Sequence, residues 1–305
     1  VNDVTAGRKY QIWDVFTAQA LAGNPLAVVL DTEGLDTDAM LRIANEFNLS
    51  ETTFILLPAD AKHRANVRIF TPFYEMPFAG HPTVGSAIAI AAVDGISDGL
   101  FVIEEKVGLV RCVVSTTDSV AFAEFTLPKL PEPAPFDIGD EAAAAALGLP
   151  PNEVGFENHT VTAWSAGVPY VTVPVRDLAA AGKAKLDTAT WLELTGGLTE
   201  ARAPAAYVYC RESIFHDSAF HARMFAGHVG LIEDPATGSA AAAFAGAVAH
   251  FDRPVDGTHS FWIEQGVEMG RPSRIRLSLD VEGGMLTSAR IGGNAVKVAE
   301  GAIFA

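Results

Sequence analysis

The chain has 305 residues, 49% of them hydrophobic, and its 21 Lys and Arg against 37 Asp and Glu give a net charge of −16. Without a basic cluster such a chain has no electrostatic basis for binding nucleic acid or an anionic membrane surface. The length is that of about two domains at roughly 100 to 200 residues each; the longest apolar run, around Val84 to Val93, is too short to span a bilayer, and the two cysteines, Cys112 and Cys210, suit a reducing cytoplasm.

Tyr10 to Phe16 reads as a strand, Gly23-Asn24-Pro25 as a turn and Leu26 to Leu30 as a buried strand. Met40, Leu41, Ile43, Ala44 and Phe47 have helical spacing, which predicts a helix over 37–47 with Asp36 or Thr37 as its cap. Strands follow at 52–57 and 65–70, a helix at 83–93, and strands at 101–105, 109–114 and 120–127. Residues 128–135 hold four prolines, which cannot continue a sheet ladder, so the domain boundary is placed there. The second half predicts a helix at 140–147, strands near 160–164, 170–175, 205–210 and 220–225, a long alanine-rich helix at 236–250, and strands at 260–264, 274–279 and 285–291. A last strand around Val296 to Glu300, within 288–305, is expected to return to the first domain. The domains are thus 1–128 with that return strand, and 129–287, in an α+β arrangement.

His81-Pro82-Thr83-Val84-Gly85-Ser86-Ala87 and Asp234-Pro235-Ala236-Thr237-Gly238-Ser239-Ala240 read as two copies of one pattern, each preceded by Arg68-Ile69-Phe70 or Arg223-Met224-Phe225. A unit repeated half a chain apart indicates a duplicated fold, each copy running strand, loop, helix.

Several motifs fail. Gly80 to Ser86 has nearly the spacing of a phosphate loop, but Ser86 stands where the lysine is needed; no G-x-G-x-x-G or G-x-S-x-G is present. His216, His221 and His228 lack metal-ligand spacing and read as surface or core histidines, so no metal is expected. What remains is a set of polar groups at helix starts. Gly80 and Gly238 allow close approach to the backbone, and the following N–H groups suit a carboxylate. His81 and Asp234 read either as helix caps or as substrate contacts. Glu51 reads either as an exposed turn residue or as a carboxylate made more basic by partial burial.

Asp14-Val15-Phe16 with Gly23-Asn24-Pro25-Leu26-Ala27-Val28, Asn48-Leu49-Ser50-Glu51-Thr52, Arg68-Ile69-Phe70-Thr71-Pro72 with Gly80-His81-Pro82-Thr83, Glu233 to Ala240, and Gln265-Gly266 with Gly270-Arg271-Pro272-Ser273 together resemble the phenazine-biosynthesis PhzF-like isomerase family. Ala226-Gly227-His228 departs from it where a proline is expected. The resemblance implies a diaminopimelate epimerase-like fold: two pseudo-symmetric domains, each a barrel-like, mostly antiparallel sheet around a central helix, with the active site in the cleft between them. Related epimerases carry a cysteine in each domain, at places the resemblance assigns here to Ala79 and Pro235. Cys112 and Cys210 lie elsewhere, which rejects thiol-based racemisation. The resemblance further implies a cofactor-free isomerisation of a small carboxylic acid. Glu51 is its acid/base, His81 and Asp234 assist, and Asn24, Ser50, Gly80, Gly238 and Ser239 bind substrate. It implies a homodimer and no cofactor. Two other readings stand beside it, a carboxylate-binding protein without turnover and a non-thiol epimerase or dehydratase on the same fold.

Overall fold

The computed structural model describes residues 7–117, 120–196, 204–228 and 231–305, the side chains of 227, 228 and 231 excepted. Two compact units result, residues 1–128 with 292–305, and residues 129–291.

In the first unit the strands are β1 (Arg8–Val15), β2 (Asn24–Val29), β3 (Glu51–Leu56), β4 (Ala65–Phe70), the short β5 (Glu75–Met76), β6 (Gly99–Glu105), β7 (Gly108–Thr117), β8 (Val120–Thr126) and the returning part of β17 (Met285–Ile303). The ring β1-β2-β3-β4-β6-β7-β8 is closed by β17, which pairs with both β1 and β8. Steps β2 to β3 and β4 to β6 are parallel, because each is joined through a helix, and the pairs β1–β17, β1–β2, β3–β4, β6–β7 and β7–β8 are antiparallel. Helix α1 (Thr37–Phe47) is capped by Asp36, whose carboxylate accepts from Ala39 N, and ends at Asn48 in the left-handed region (φ 51°). It covers the outside of the sheet with Met40, Ile43 and Ala44 packed on Val29, Phe54 and Phe70.

Helix α2 (Gly80–Asp94) is the opposite case. It is buried from Gly80 through Ala91 and made of small and β-branched residues, so it has no polar face. An eight-stranded ring has an interior only wide enough for side chains, so a helix fits inside only if its own residues are small. Gly85 shows the tolerance: a Cβ there would lie 2.5 Å from Leu26 Cδ2 and 2.8 Å from Val15 Cγ2.

The second unit repeats this order. Its strands are β9 (Glu132–Pro133), β10 (Thr162–Ser165), β11 (Pro169–Pro174), β12 (Ala205–Cys210), β13 (Phe220–His228), β14 (Leu231–Asp234), β15 (Gly257–Gln265) and β16 (Ser273–Glu282), which turns through Gly283-Gly284 into β17. The steps β11 to β12 and β13 to β15 are again parallel and the pairs β10–β11, β12–β13 and β15–β16 antiparallel. Helices α3 (Asp140–Ala146), α4 (Leu178–Lys183) and α5 (Thr188–Leu194) supply an outer layer around Trp191. The inner helix α6 (Gly238–Phe251) has Gly246 against the Trp164 ring, where a Cβ would approach to 2.3 Å. The fold is α+β, with barrel-like sheets around central helices. No helix among the described residues is long and apolar enough to cross a membrane.

Two expectations need correction. Residues 128–135 do not all leave the sheet: Glu132 and Pro133 pair with Ser165 and Trp164, and Ala134 N donates to Ala163 O at 2.8 Å. Proline is compatible with a short edge strand because no outward donor is required there. The register of the repeat also changes. Phe70 pairs with Glu75 and Phe225 with Glu233, so Glu75-Met76-Pro77-Phe78-Ala79-Gly80-His81 matches Glu233-Asp234-Pro235-Ala236-Thr237-Gly238-Ser239. Gly80 and Gly238 are each the first helical residue. Pro82 lies inside the first turn of α2, where a missing N–H costs nothing, whereas Pro235 lies before α6. His81 therefore corresponds to Ser239 and not to Asp234, and Ala79 corresponds to Thr237 and not to Pro235. The segment from Phe225 to Glu233 is longer than that from Phe70 to Glu75.

Both copies fasten the segment before the inner helix in the same way. Arg68 Nε and Nη2 donate to Glu75 at 2.8 and 2.9 Å, and Arg223 Nε and Nη2 donate to Glu233 at 2.8 Å each. Each guanidinium also lies over a phenylalanine, Phe70 or Phe225. Such bidentate pairs fix direction as well as distance. Replacing Gly246 by Ala drives a methyl into Trp164 and is expected to lower the unfolding free energy by about 1–3 kcal/mol, measured by urea denaturation; an unchanged midpoint would mean that the ring moves aside freely.

Candidate active site

In the first unit three sequence-predicted residues converge. Asn24 begins β2 directly after Gly23 (φ +66°), where a Cβ would lie 2.3 Å from Val15 O, so the tight approach needs glycine. Asp14 Oδ2 accepts from Leu21 N at 2.6 Å and shapes the same loop. Glu51 is the first residue of β3, beside Leu26 of β2 in parallel register, and follows the half-buried Ser50. His81 is the second residue of α2. Its Nε2 lies 3.4 Å from Glu51 Oε2, and its Nδ1 lies 3.4 Å from Asn24 Nδ2. The first of these is close but not aligned as a hydrogen bond.

With Asn24 Nδ2 as donor, Nδ1 of the ring is the acceptor and the ring's one proton sits on Nε2, facing Glu51. Burial holds the imidazole neutral by pushing His81 down to about 3. The His81 side chain is 5% exposed and that of Glu51 16%, so the ring is enclosed while the carboxylate keeps access to solvent. Tyr74, which the sequence reading missed, belongs to this group. Burial and then the Glu51 charge hold its phenol above the ordinary tyrosine range. The signal was its place at the end of the Thr71-Pro72-Phe73-Tyr74 turn, next to a block already singled out.

Neither inner helix has a side-chain cap; the N-cap residues are Ala79 and Thr237. This removes capping as the role of His81, which lies within the turn, and of Asp234, which lies four residues ahead of Gly238. In the second unit Asp234 is buried and its Oδ2 accepts from Thr237 Oγ1 at 2.5 Å. Ser239 Oγ is 2.6 Å from Tyr170 OH. The second residue of each inner helix is thus held from the strand beside it, His81 by Asn24 and Ser239 by Tyr170. Gln265 Oε1 accepts from Thr237 N at 3.3 Å, and its Nε2 donates to Asp234 O at 2.8 Å and Thr237 Oγ1 at 3.0 Å. Gly266 (φ +75°) would place a Cβ 2.5 Å from Pro235 O, so it seats this brace against the loop.

The remaining candidates lie elsewhere. Cys112 in β7 and Cys210 in β12 are buried; burial pushes the Cys112 thiol up strongly and that of Cys210 to about 12, so neither forms a thiolate at neutral pH. His216 is exposed, His221 is in the core, and the side chain of His228 lies outside the described residues. Burial disfavours a charged His221, yet hydrogen bonds to Glu264 and Glu268 outweigh it and push the ring up to about 9. Among the described residues no cluster of three or more His, Cys, Asp or Glu is arranged for a metal ion.

A family model for phenazine biosynthesis-like proteins, PhzC-PhzF, matches residues 13–301. The chain belongs to this family. It is 62% identical over 298 residues to an uncharacterized isomerase of Mesorhizobium japonicum, covering 97% of this chain and 99% of that one. It is 34% identical to the trans-2,3-dihydro-3-hydroxyanthranilate isomerase of Pseudomonas aeruginosa, with the same coverage. A PhzF-family protein of Bacillus anthracis has a similar structure, with a TM-score of 0.86 and 28% identity over 99% of this chain and all of the other. The chain is an enzyme, an isomerase, which sets aside the reading as a binding protein without turnover.

The neutrality of His81 has a stability consequence. Its folded pKa is depressed from 6.5 to about 3, so between these values the unfolded chain binds a proton that the folded one does not, and stability falls as pH falls through that window. The melting temperature of the wild type minus that of His81→Gln should therefore shrink between pH 7 and pH 4. A constant difference would show that His81 is protonated in the folded protein.

Proposed function

We propose that the enzyme moves a proton, and with it a double bond, within a small cyclic or unsaturated carboxylic acid, using Glu51 as the one acid/base and no cofactor. The observation that carries this reading is the pairing of a partly exposed carboxylate with a buried neutral imidazole whose Nε2–H faces it at 3.4 Å. A carboxylate is a competent base for a carbon acid only where the carbanion is delocalised, here into an adjacent double bond and carboxylate. Glu51 removes the proton from that carbon, and the conjugated system carries the charge to a second carbon. The glutamic acid then returns the proton there. One base serves both steps when the two carbons present the same face of the substrate.

In this reading His81 walls one side of Glu51 with its Nε2 edge, and Asn24 keeps the ring in that tautomer. The uncapped first-turn N–H groups at Gly80 and Gly238 bind carboxylate oxygens and stabilise charge as it develops. Ser239, oriented by Tyr170, and Asp234, oriented by Thr237, take the substrate's polar substituents, and Ser50 and Tyr74 border Glu51. The net charge of −16 repels anions at long range, so these short-range donors supply the attraction, with screening beyond about 8 to 10 Å. We further propose a homodimer in the cytoplasm.

Incubation in heavy water with dihydroaromatic, cyclic and unsaturated amino and hydroxy carboxylates, followed by proton NMR, tests the reading. Wild type should catalyse deuterium uptake and double-bond migration without loss of mass as water, and Glu51→Gln should be slower by about a hundred- to ten-thousandfold. Equal rates in both proteins would remove Glu51 from the mechanism, and loss of water would make the enzyme a dehydratase. A Cys112→Ala, Cys210→Ala double variant should keep its isomerase activity; loss of turnover in a folded variant would restore thiol chemistry.

A further inference from the structure

Glu105, the last residue of β6, is a buried carboxyl beneath the start of α2, and the proposed chemistry leaves it unused. Its Oε1 lies 2.8 Å from Thr83 Oγ1, which is also 2.7 Å from Ala79 O. The threonine hydroxyl has one hydrogen and a carbonyl has none, so the contact to Ala79 O takes the Thr83 hydrogen. The second short contact then requires a hydrogen on Glu105. Its Oε2 has no hydrogen-bond partner among the described residues, an arrangement far less costly for a neutral acid than for a carboxylate.

The second unit supplies an internal comparison. Glu104 accepts from Ala59 N, Asp60 N and His63 Nδ1, and Glu264 accepts from Ile214 N, Phe215 N and His221 Nδ1. The two are equivalent, which makes Glu105 the counterpart of Gln265. Gln265 braces the start of α6 through Thr237 as a permanently neutral amide. The fold thus places a neutral planar group at this point in both copies, by composition in one and by protonation in the other.

We propose that Glu105, held as a neutral acid, is a positioning residue: through Thr83 it fixes the Ala79–Gly80 peptide, and so aims the Gly80 N–H and seats His81 against Glu51. The Ala79 carbonyl and the Gly80 N–H share one rigid plane, so a bond to the first sets the direction of the second. Thr83 N also donates to Ala79 O at 3.2 Å, and the hydroxyl completes the hold. Burial pushes the carboxyl up to about 8. The titratable group acting on it from β7 is the Cys112 thiol, itself protonated. From α2 Thr83 faces it, and the His81 imidazole of the same helix is neutral. Lys106 and Glu75 are 3.6 Å apart, and Glu75 is held by Arg68. Ionised Glu105 would draw the Thr83 hydrogen away from Ala79 O and release the peptide. This inference rests on the proposed roles of Gly80 and His81, but its physical part needs no substrate.

The wild-type enzyme is followed by carbon NMR at the Glu105 carboxyl and by amide NMR at Gly80 and His81 from pH 6 to pH 10, beside Glu105→Gln and Glu105→Ala. The Glu105 carboxyl should be protonated at pH 6 and titrate near 8, with the Gly80 and His81 amides shifting in step. Glu105→Gln should hold both amides at their low-pH positions throughout, and Glu105→Ala should displace them at every pH. Because the folded pKa is raised, stability is lost as pH rises from about 4.5 to about 8, so the melting temperature of Glu105→Gln minus that of wild type should widen across that range. An ionised carboxyl at pH 6, or amide shifts equal in wild type and Glu105→Gln, would overturn the proposal even if the variants fold poorly, since the carboxyl is read in the wild type. With any compound that exchanges under wild type, kcat/KM should fall above about pH 8 and stay flat in Glu105→Gln; parallel profiles would overturn the positioning role. Absence of any exchanging compound bears on Glu51 alone, because the NMR arms remain readable.

Discussion

The constraint on which the rest depends is the narrowness of the space inside each ring of strands. The helices that occupy it are built largely of alanine, glycine and other small or β-branched residues, and neither has a side-chain hydrogen bond capping its first turn. The donors of that turn are left to other partners, and the residues that orient it must come from the surrounding strands. Asn24 and Glu105 do this in the first unit, and Tyr170 and Gln265 in the second. The packing that lets each helix enter also leaves its first turn without a side-chain cap.

Burial also decides which of these groups can change charge near neutral pH. Cys112 and Cys210 are too deep to ionise, and His81 is too deep to be protonated. Glu51, at the start of a strand rather than in its middle, keeps a path to solvent. Two thiols could not be recruited without moving them out of β7 and β12, and the duplication here places unlike groups, His81 and Ser239, at equivalent positions of the two inner helices. The asymmetry fits a reaction in which one carboxylate gives and takes the proton.

Much of the architecture was legible in the chain. The span of α1 follows from its apolar spacing and Asp36, and the duplication follows from Arg68-Ile69-Phe70 and Arg223-Met224-Phe225, whose arginines prove to be the bidentate clamps on Glu75 and Glu233. The register of the repeat was not legible, because two prolines at similar distances from two glycines suggested equivalence although one lies inside a helix and the other before it. Pairing of strands, which no local pattern encodes, decides the matter. Glu51 was singled out through the family's Asn-Leu-Ser-Glu-Thr block; its physical setting alone favours an exposed turn residue. Tyr74 and Glu105 were missed for a different reason: each acts through a contact with a residue distant in sequence, and each has a common appearance in its own segment, an aromatic at a turn and an acid at a strand end.

The central claim is that a single carboxylate carries one proton between two carbons of the same molecule. A substrate identified by exchange, deuterated at the donor carbon and turned over once in ordinary water, tests this most directly. Deuterium appearing at the acceptor carbon of the product, on the face from which it was taken, is the result this account predicts. Complete loss of the label, with a solvent proton delivered to the opposite face, would contradict it and require a second proton carrier.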